Sequence, residues 1–128
     1  MNKQEIGKLG EDYAKAFLES EKYDFITANY HCRFGEIDLV FFDYSNGEEL
    51  VFVEVKSRTS FTFGYPSESI TKRKKERIYR SCIHYIQHGK KQNKKLKNIK
   101  WRIDAIFVIM KKNLEIHYLD HIKNILDG

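Results

Sequence analysis

Asp38, Glu54 and Lys56 lie inside stretches otherwise built from apolar residues: EIDLVFFD over 36–43 and LVFVEVKSR over 50–58. A charge in the middle of a half-buried strand is costly unless something compensates it. Two carboxylates held close repel. A hard divalent cation such as Mg2+ or Mn2+ relieves that repulsion and keeps positions open for water and phosphate. An ammonium beside them can orient an attacking water or stabilise charge developing on a phosphate. The chemistry in prospect is metal-assisted attack on a phosphodiester. The plainer alternative is a rim salt bridge, with Lys56 pairing Glu36 and Glu54.

Register decides whether these charges meet. The two runs flank Ser45-Asn46-Gly47, a hairpin signal. Glu36, Asp38, Val40 and Phe42 share one face of the first run, opposite Ile37, Leu39 and Phe41. Leu50, Phe52, Glu54 and Lys56 share one face of the second, opposite Val51, Val53 and Val55. A two-residue Asn46-Gly47 turn makes the numbers of paired residues add to 93 and separates Asp38 from Glu54. A three-residue loop, with Gly47 left-handed in a bulge, makes them add to 92. Asp38 then lies opposite Glu54, Glu36 opposite Lys56, and each strand gains a consistent apolar face. The odd loop is the expectation.

Around the hairpin, residues 3–21 read as an amphipathic helix with Ile6, Leu9, Tyr13, Ala16 and Phe17 on one stripe. Lys8, Asp12, Lys15 and Glu19 occupy the opposite face. Glu11 sits at the border beside Gly7, Ala14 and Leu18, where small neighbours leave a notch for another element. A first strand is predicted over 24–30, then the hairpin strands over 36–43 and 50–58, and a loop over 60–66. A second helix is predicted over 71–88, with Ile78, Tyr79, Cys82, Ile83 and Ile86 as its apolar stripe and Gly89 ending it. A lysine- and asparagine-rich loop over 90–100 precedes strands over 101–110 and 114–119 and a short closing helix over 120–126. The order α-β-β-β-α-β-β-α, without internal repeat, predicts the α/β class: one domain over 1–128, a mixed central β-sheet flanked by helices.

The 128 residues are 41% hydrophobic and 14% aromatic, which excludes a disordered chain. No apolar run approaches the ~20 residues of a membrane helix, so no membrane association is expected. The polar start, Met1-Asn2-Lys3-Gln4-Glu5, lacks the apolar stretch of a secretory signal, and a cytoplasmic location is the expectation. Cys32 and Cys82 show no metal-ligand spacing and read as reduced thiols, the second on a helix's apolar face. Net charge is +5, but residues 71–100 hold twelve lysines and arginines and one acid, so they carry +11 and the rest −6. Such polarity fits a polyanionic partner, or a solvated helix face followed by a basic loop. Lys72, Arg73, Lys74 and Lys75 fall in the first helical turn, where positive charge opposes the helix dipole. With Arg77 and Arg58 they are the candidate nucleic-acid contacts.

Several motifs taken together carry a resemblance. They are Gly7-x-x-Gly10-Glu11-x-x-Ala14, Asn29-Tyr30, Gly35-Glu36-Ile37-Asp38-Leu39-Val40, Phe52-Val53-Glu54-Val55-Lys56-x-Arg58, Gly64, Thr71-x-x-Lys74 and Arg102-Ile103-Asp104. In that order, over nearly the whole chain, they resemble the bacterial YraN-like family. That family is a group within the PD-(D/E)xK nuclease superfamily, similar in core to archaeal Holliday-junction resolvases. The resemblance implies a restriction-endonuclease-like domain and a site for one or two Mg2+ (or Mn2+) ions. Asp38 and Glu54 match its metal-binding carboxylates, Lys56 its catalytic lysine, and Glu11 the carboxylate that resolvase-like members add from the first helix. Ile37 stands where the superfamily's name has Pro, a replacement the YraN-like pattern tolerates.

The expected function is therefore a divalent-metal-dependent nuclease acting on nucleic acid, DNA ahead of RNA, with branched or flapped structures as candidate substrates. The alternative is a nucleic-acid-binding module of the same fold that cleaves nothing. An adaptor using the basic region for a protein or membrane partner is a third reading, and a homodimer stays open. Asp104 has two readings: an acid orienting Lys56 or Arg58, or a strand-end partner of Arg102. His31, His84, His88, His117 and His121 lack ligand spacing and read as structural.

Overall fold

Asn2 starts the first helix, α1 (Lys3–Ser20), with a capping box: its side chain accepts the Glu5 N–H at 2.9 Å, and the Glu5 carboxylate accepts the Asn2 N–H. The computed structural model describes residues 1–59, 70–89, 96 and 98–127. The expected loop over 60–66 and most of the expected lysine-rich loop fall outside them.

Five strands follow the order of the chain across one sheet: β1 (Asp24–Cys32), β2 (Gly35–Asp43), β3 (Glu49–Arg58), β4 (Lys100–Met110) and β5 (Ile116–Ile122). Neighbours are antiparallel except β3 and β4, which run parallel. Parallel neighbours need a crossover, and α2 (Lys72–Gly89) lies in it. The two helices cover opposite faces. Ala14 and Leu18 of α1 pack on Leu39, Phe41, Val51, Val53, Ile106 and Val108. Ile78 and Cys82 of α2 pack on Val40, Leu50, Phe52, Ile103 and Phe107. The chain is thus an α/β fold with a mixed sheet between two helices, as its pattern predicts.

The hairpin register is the odd one. Leu39 pairs with Val53 and Asp43 with Glu49, so paired numbers add to 92. Gly47 takes φ +80°, the left-handed backbone the loop requires. Ile37 breaks the alternation and joins the α2-side cluster with Val40. The β2–β3 ladder runs only as far as Leu39–Val53, beyond which β2 follows β1 and β3 follows β4. Twist accumulated where the strands part rotates Ile37 away from the α1 side.

The C-terminal expectations need correction. β5 begins later than expected and absorbs the start of the expected closing helix, since Asp120, His121 and Ile122 pair with Phe107, Ile106 and Ala105. What remains is one 3-10 turn, Ile125–Asp127. The physical reason is Asp104, which is fully buried. Its carboxylate takes His121 Nε2 at 2.8 Å and the Asn124 N–H at 2.9 Å, pinning that stretch to the sheet. Arg102 Nε also donates to Asp104 at 2.9 Å, and Arg102 reaches Asp43 at 3.0 Å, Glu49 at 2.6 Å and the Tyr23 hydroxyl at 2.8 Å. The partner-of-Arg102 reading of Asp104 holds. Both cysteines are free thiols, Cys82 in the core and Cys32 at the end of β1.

Gly10 sets how closely α1 sits on the sheet. A Cβ there would stand 1.6 Å from Ser57 Oγ and 2.6 Å from Ser57 Cβ. Gly7, by contrast, faces open space, so the close approach lies at Gly10 rather than beside Gly7. Gly10→Ala should lower stability by about 1–3 kcal/mol, read as a fall of several degrees in Tm, because overpacking here pushes the helix off β3. Adding Ser57→Gly should recover most of that loss. A Gly10→Ala protein melting at the wild-type temperature would mean that the helix is not held at this distance.

Candidate functional site

The parting of β2 and β3 opens a wedge, and a side chain takes over the main-chain pairing there. Asp38 Oδ2 accepts the Val55 N–H at 2.8 Å. Burial pushes the Asp38 carboxyl up to about 8, and the nearby Glu54, Glu11 and Glu36 carboxylates add to the effect against the Val55 N–H. Burial raises Glu54 too, but Lys56, Lys74 and a hydrogen bond with Asp38 oppose it. Both carboxyls are thus raised, each buried close to the other.

Lys56 Nζ lies 3.4 Å from Glu54 Oε1, with 26% of the lysine side chain and 14% of the glutamate exposed. Burial works against its charge, yet Glu54 and Asp38 hold its pKa above the ordinary lysine value. Lys74 is displaced the other way, chiefly by Lys56 beside it. Lys74 is positioned by the start of α2, where Thr71 Oγ1 accepts its N–H at 3.2 Å, and this explains the Thr71-x-x-Lys74 spacing. The second half of the rim salt bridge does not form. Glu36 turns instead toward His31 Nδ1, 3.7 Å away.

Glu11 reaches the wedge from α1 because Gly10 lets that turn sit on β3. Its carboxyl is raised by burial and by Glu36. Asn29 joins these two acids when its amide is oriented with the nitrogen toward them, 3.2 Å from Glu11 Oε1 and 3.3 Å from Glu36 Oε1, the orientation that gives both carboxylates a donor. It takes a left-handed φ of +55° within β1, which aims the side chain into the wedge. Glu54, Lys56, Lys74, Arg77 and Glu36 line a cavity of about 170 Å³ on the α2 side. Glu11 and Arg58 line another of about 530 Å³ on the α1 side.

Glu54, Glu11 and Glu36 all act on the Asp38 carboxyl, while Lys56 stands beside Glu54 and Lys74 beside Lys56. A divalent cation would relieve the mutual repulsion of these carboxylates. Among the described residues, no three His, Cys, Asp or Glu side chains already stand close enough together to hold one.

The sequence profile of the Uncharacterised protein family UPF0102 matches residues 10–108, which include every member of the wedge. This chain belongs to the UPF0102 family. A UPF0102 protein of Caldicellulosiruptor saccharolyticus is 38% identical over 124 residues, 97% of this chain and 98% of its own length. One from Carboxydothermus hydrogenoformans is 35% identical over 99% of both chains. One from Syntrophus aciditrophicus is 41% identical over 82% of this chain and 76% of its own. Membership of UPF0102 agrees with the YraN-like resemblance of the motifs.

Of the residues singled out in the sequence, Asp38, Glu54, Lys56, Glu11, Lys74 and Arg77 converge on or beside the wedge. Lys72 and Arg73 are exposed on the first turn of α2 and Lys75 is half-buried. Arg58 lies across β3 from the lysine-lined cavity, though near enough to Lys74 to depress its pKa. Glu36 as a fourth acid and Asn29 as the bridge were not foreseen as site members. The available signal was Glu36 standing two residues before Asp38 on the same strand face. Among the described residues, no helix is long and apolar enough to cross a membrane.

Proposed function

We propose that this UPF0102 protein is a divalent-metal-dependent nuclease that hydrolyses phosphodiester bonds in DNA, with branched or flapped structures as the leading substrates. The observation carrying the proposal is the gathering of Glu11, Glu36, Asp38 and Glu54 with Lys56 where two strands part. The donor set is all oxygen and suits Mg2+ or Mn2+. Asp38 and Glu54 would hold the ion with Glu11 reaching it, and the bound ion would polarise the phosphate and acidify a water. Mg2+ is commonly held by one or two carboxylates plus waters and phosphate oxygens, so a preformed three-ligand cage is not required. Lys56 stays charged and offers its protons to a phosphate oxygen or an attacking water. Lys74 and Arg77 hold the neighbouring backbone. The second reading, binding without cleavage, is favoured by the absence of such a cage among the described residues.

The test is a cleavage screen on branched, flapped, single-stranded and duplex DNA with Mg2+ or Mn2+, beside metal titrations of the wild type, Asp38→Asn and Glu54→Gln. Cleavage is expected only with metal, and both variants should lose metal binding. Loading the ion must displace the proton that Asp38 keeps up to about pH 8, so metal affinity should climb as pH rises toward that value. Metal binding without cleavage of any substrate would favour the second reading. No metal binding at any pH would remove the proposal.

A separate prediction concerns binding. Each lysine or arginine on a phosphate releases counterions, and log K then falls with log salt by about 0.9 per contact. Neutralising Lys74 and Arg77 together should weaken duplex binding regardless of sequence and flatten that slope by about one to two units. An unchanged slope in salt-series titrations would reduce this end of α2 to a solvated surface.

A further inference from the structure

A second concavity, of about 510 Å³, lies farther along α2 and differs in chemistry from the wedge. Phe34, from the turn between β1 and β2, and Tyr79, His84 and His88, from α2, supply flat rings, while Arg33 and Arg80 supply charge. Its volume falls within the roughly 300–1,000 Å³ typical of small-ligand pockets. The rings are ordered by one another. His84 and His88 stack with centroids 3.9 Å apart and planes 17° from parallel, and Phe34 meets His84 edge-on at 6.2 Å. The Tyr30 hydroxyl bonds His84 Nδ1, and His88 Nδ1 donates to the His84 carbonyl oxygen at 2.9 Å. The Arg33 guanidinium lies over the Phe34 ring, 4.8 Å from its centroid. Tyr79 keeps 44% of its surface exposed although its ring leans on Trp101. These rings line a cavity that also holds two arginines.

The cavity and its neighbours toward the wedge share lining residues. Arg77 lines the wedge cavity and, with Arg73, Arg80 and Glu76, which pairs with Arg80 at 3.1 Å, another of about 280 Å³. Arg80 lines both that cavity and the ring-lined one. The three concavities follow one another along the outer face of α2. From Lys74 to His84 the helix advances about 15 Å, enough for a few nucleotides of a single strand. A track of arginines leading to partly exposed rings is an arrangement that binds unpaired strands, because phosphates follow the cations and any base can stack on a ring or a guanidinium.

Building on the nuclease reading, we infer that the Phe34–Tyr79–His84–His88 cavity takes an unpaired nucleobase of a strand whose backbone runs over Arg80 and Arg77 to the carboxylate wedge. The substrate class is thereby narrowed to DNA with a single-stranded segment next to the attacked phosphate, as in a flap or tail, over perfect duplex.

The experiment is fluorescence-anisotropy binding of labelled DNA to the full chain without added metal. It compares a blunt duplex, the same duplex with a single-stranded tail, and that tail carrying abasic sites, against wild type, Phe34→Leu and His84→Leu. The tailed duplex should bind wild type about tenfold or more tightly than the blunt one, a typical stacking increment. Abasic sites should erase the difference, and the variants should lose the same factor without a further loss on abasic tails. Circular dichroism and Tm verify that the variants fold. The abasic comparison uses wild-type protein alone and decides the matter even if they do not. Equal binding of blunt, tailed and abasic DNA overturns the base-binding cavity but leaves the nuclease reading standing. No salt-sensitive binding to any DNA overturns both.

Discussion

Lys56→Ala should leave divalent-metal binding intact and lower the rate of cleavage by about 10² or more. The expectation follows from position. Lys56 touches Glu54 at 3.4 Å and borders the cavity that Lys74 and Arg77 also line, yet it contributes no oxygen to an ion. Its surroundings keep it protonated despite partial burial, so its role is to present positive charge where a phosphate would sit. Loss of that charge affects the transition state more than substrate binding, and kcat should fall with little change in KM. Lys56→Arg tests the geometry, since it restores charge but broadens the donor group, and partial recovery is expected. Metal binding is followed by isothermal titration and the rate under single-turnover conditions. If Lys56→Ala cleaves at the wild-type rate, Lys56 is only the salt-bridge partner of Glu54.

The largest expected effect on stability belongs to Arg102. Its side chain is 10% exposed and bonded to three acids, Asp43, Glu49 and Asp104, whose side chains are 7%, 10% and 0% exposed. Removing one partner of a buried ionic group leaves charge uncompensated and costs about 3–5 kcal/mol, a large share of a domain's stability. Arg102→Met should lower Tm by about 10 °C or more. The loss should depend on pH in a definite direction. Burial alone would raise Asp43 and Asp104, but hydrogen bonds from Ser45 and Arg102 to the first, and from His121, Arg102 and Asn124 to the second, hold both below the usual carboxylate range. A depressed carboxyl stabilises the fold above its unfolded pKa, and the contribution disappears as pH falls through the lower folded value. The gap between wild type and Arg102→Met should therefore be widest near neutrality and close in acid. A constant gap across that range would assign the effect to lost packing rather than to charge.

The wedge was largely legible because two of its constraints are local. Hairpin parity follows from a three-residue loop with glycine at a left-handed position, and parity alone brings Asp38 and Glu54 to one side. The Gly10-Glu11 pair was legible as a motif, but its meaning depends on Ser57, nearly fifty residues away, and no periodicity reveals that contact. Ile37 falls in the other cluster because a period of two assumes an untwisted strand, and β2 parts from β3 there while staying on β1. The closing helix failed because a buried Asp104 outbid local propensity for residues 120–124. The ring-lined cavity was invisible for a similar reason. Phe34 and His84 come from different elements, and neither spacing nor composition brings them together.

β3 is the middle strand of the finished sheet, but in the nascent chain it waits for its neighbour. β2 is already in place when Arg58 leaves the ribosome, whereas β4 does not begin until Lys100. In the interval a strand with Leu50, Val51, Phe52 and Val53 in succession has an open hydrogen-bonding edge. Such an edge invites pairing with another copy during synthesis. Glu54 and Lys56 interrupt the run and place opposite charges at its end, the gatekeeper pattern that discourages strand-to-strand association. Neutralising both would therefore threaten the yield of folded protein before any chemistry could be measured.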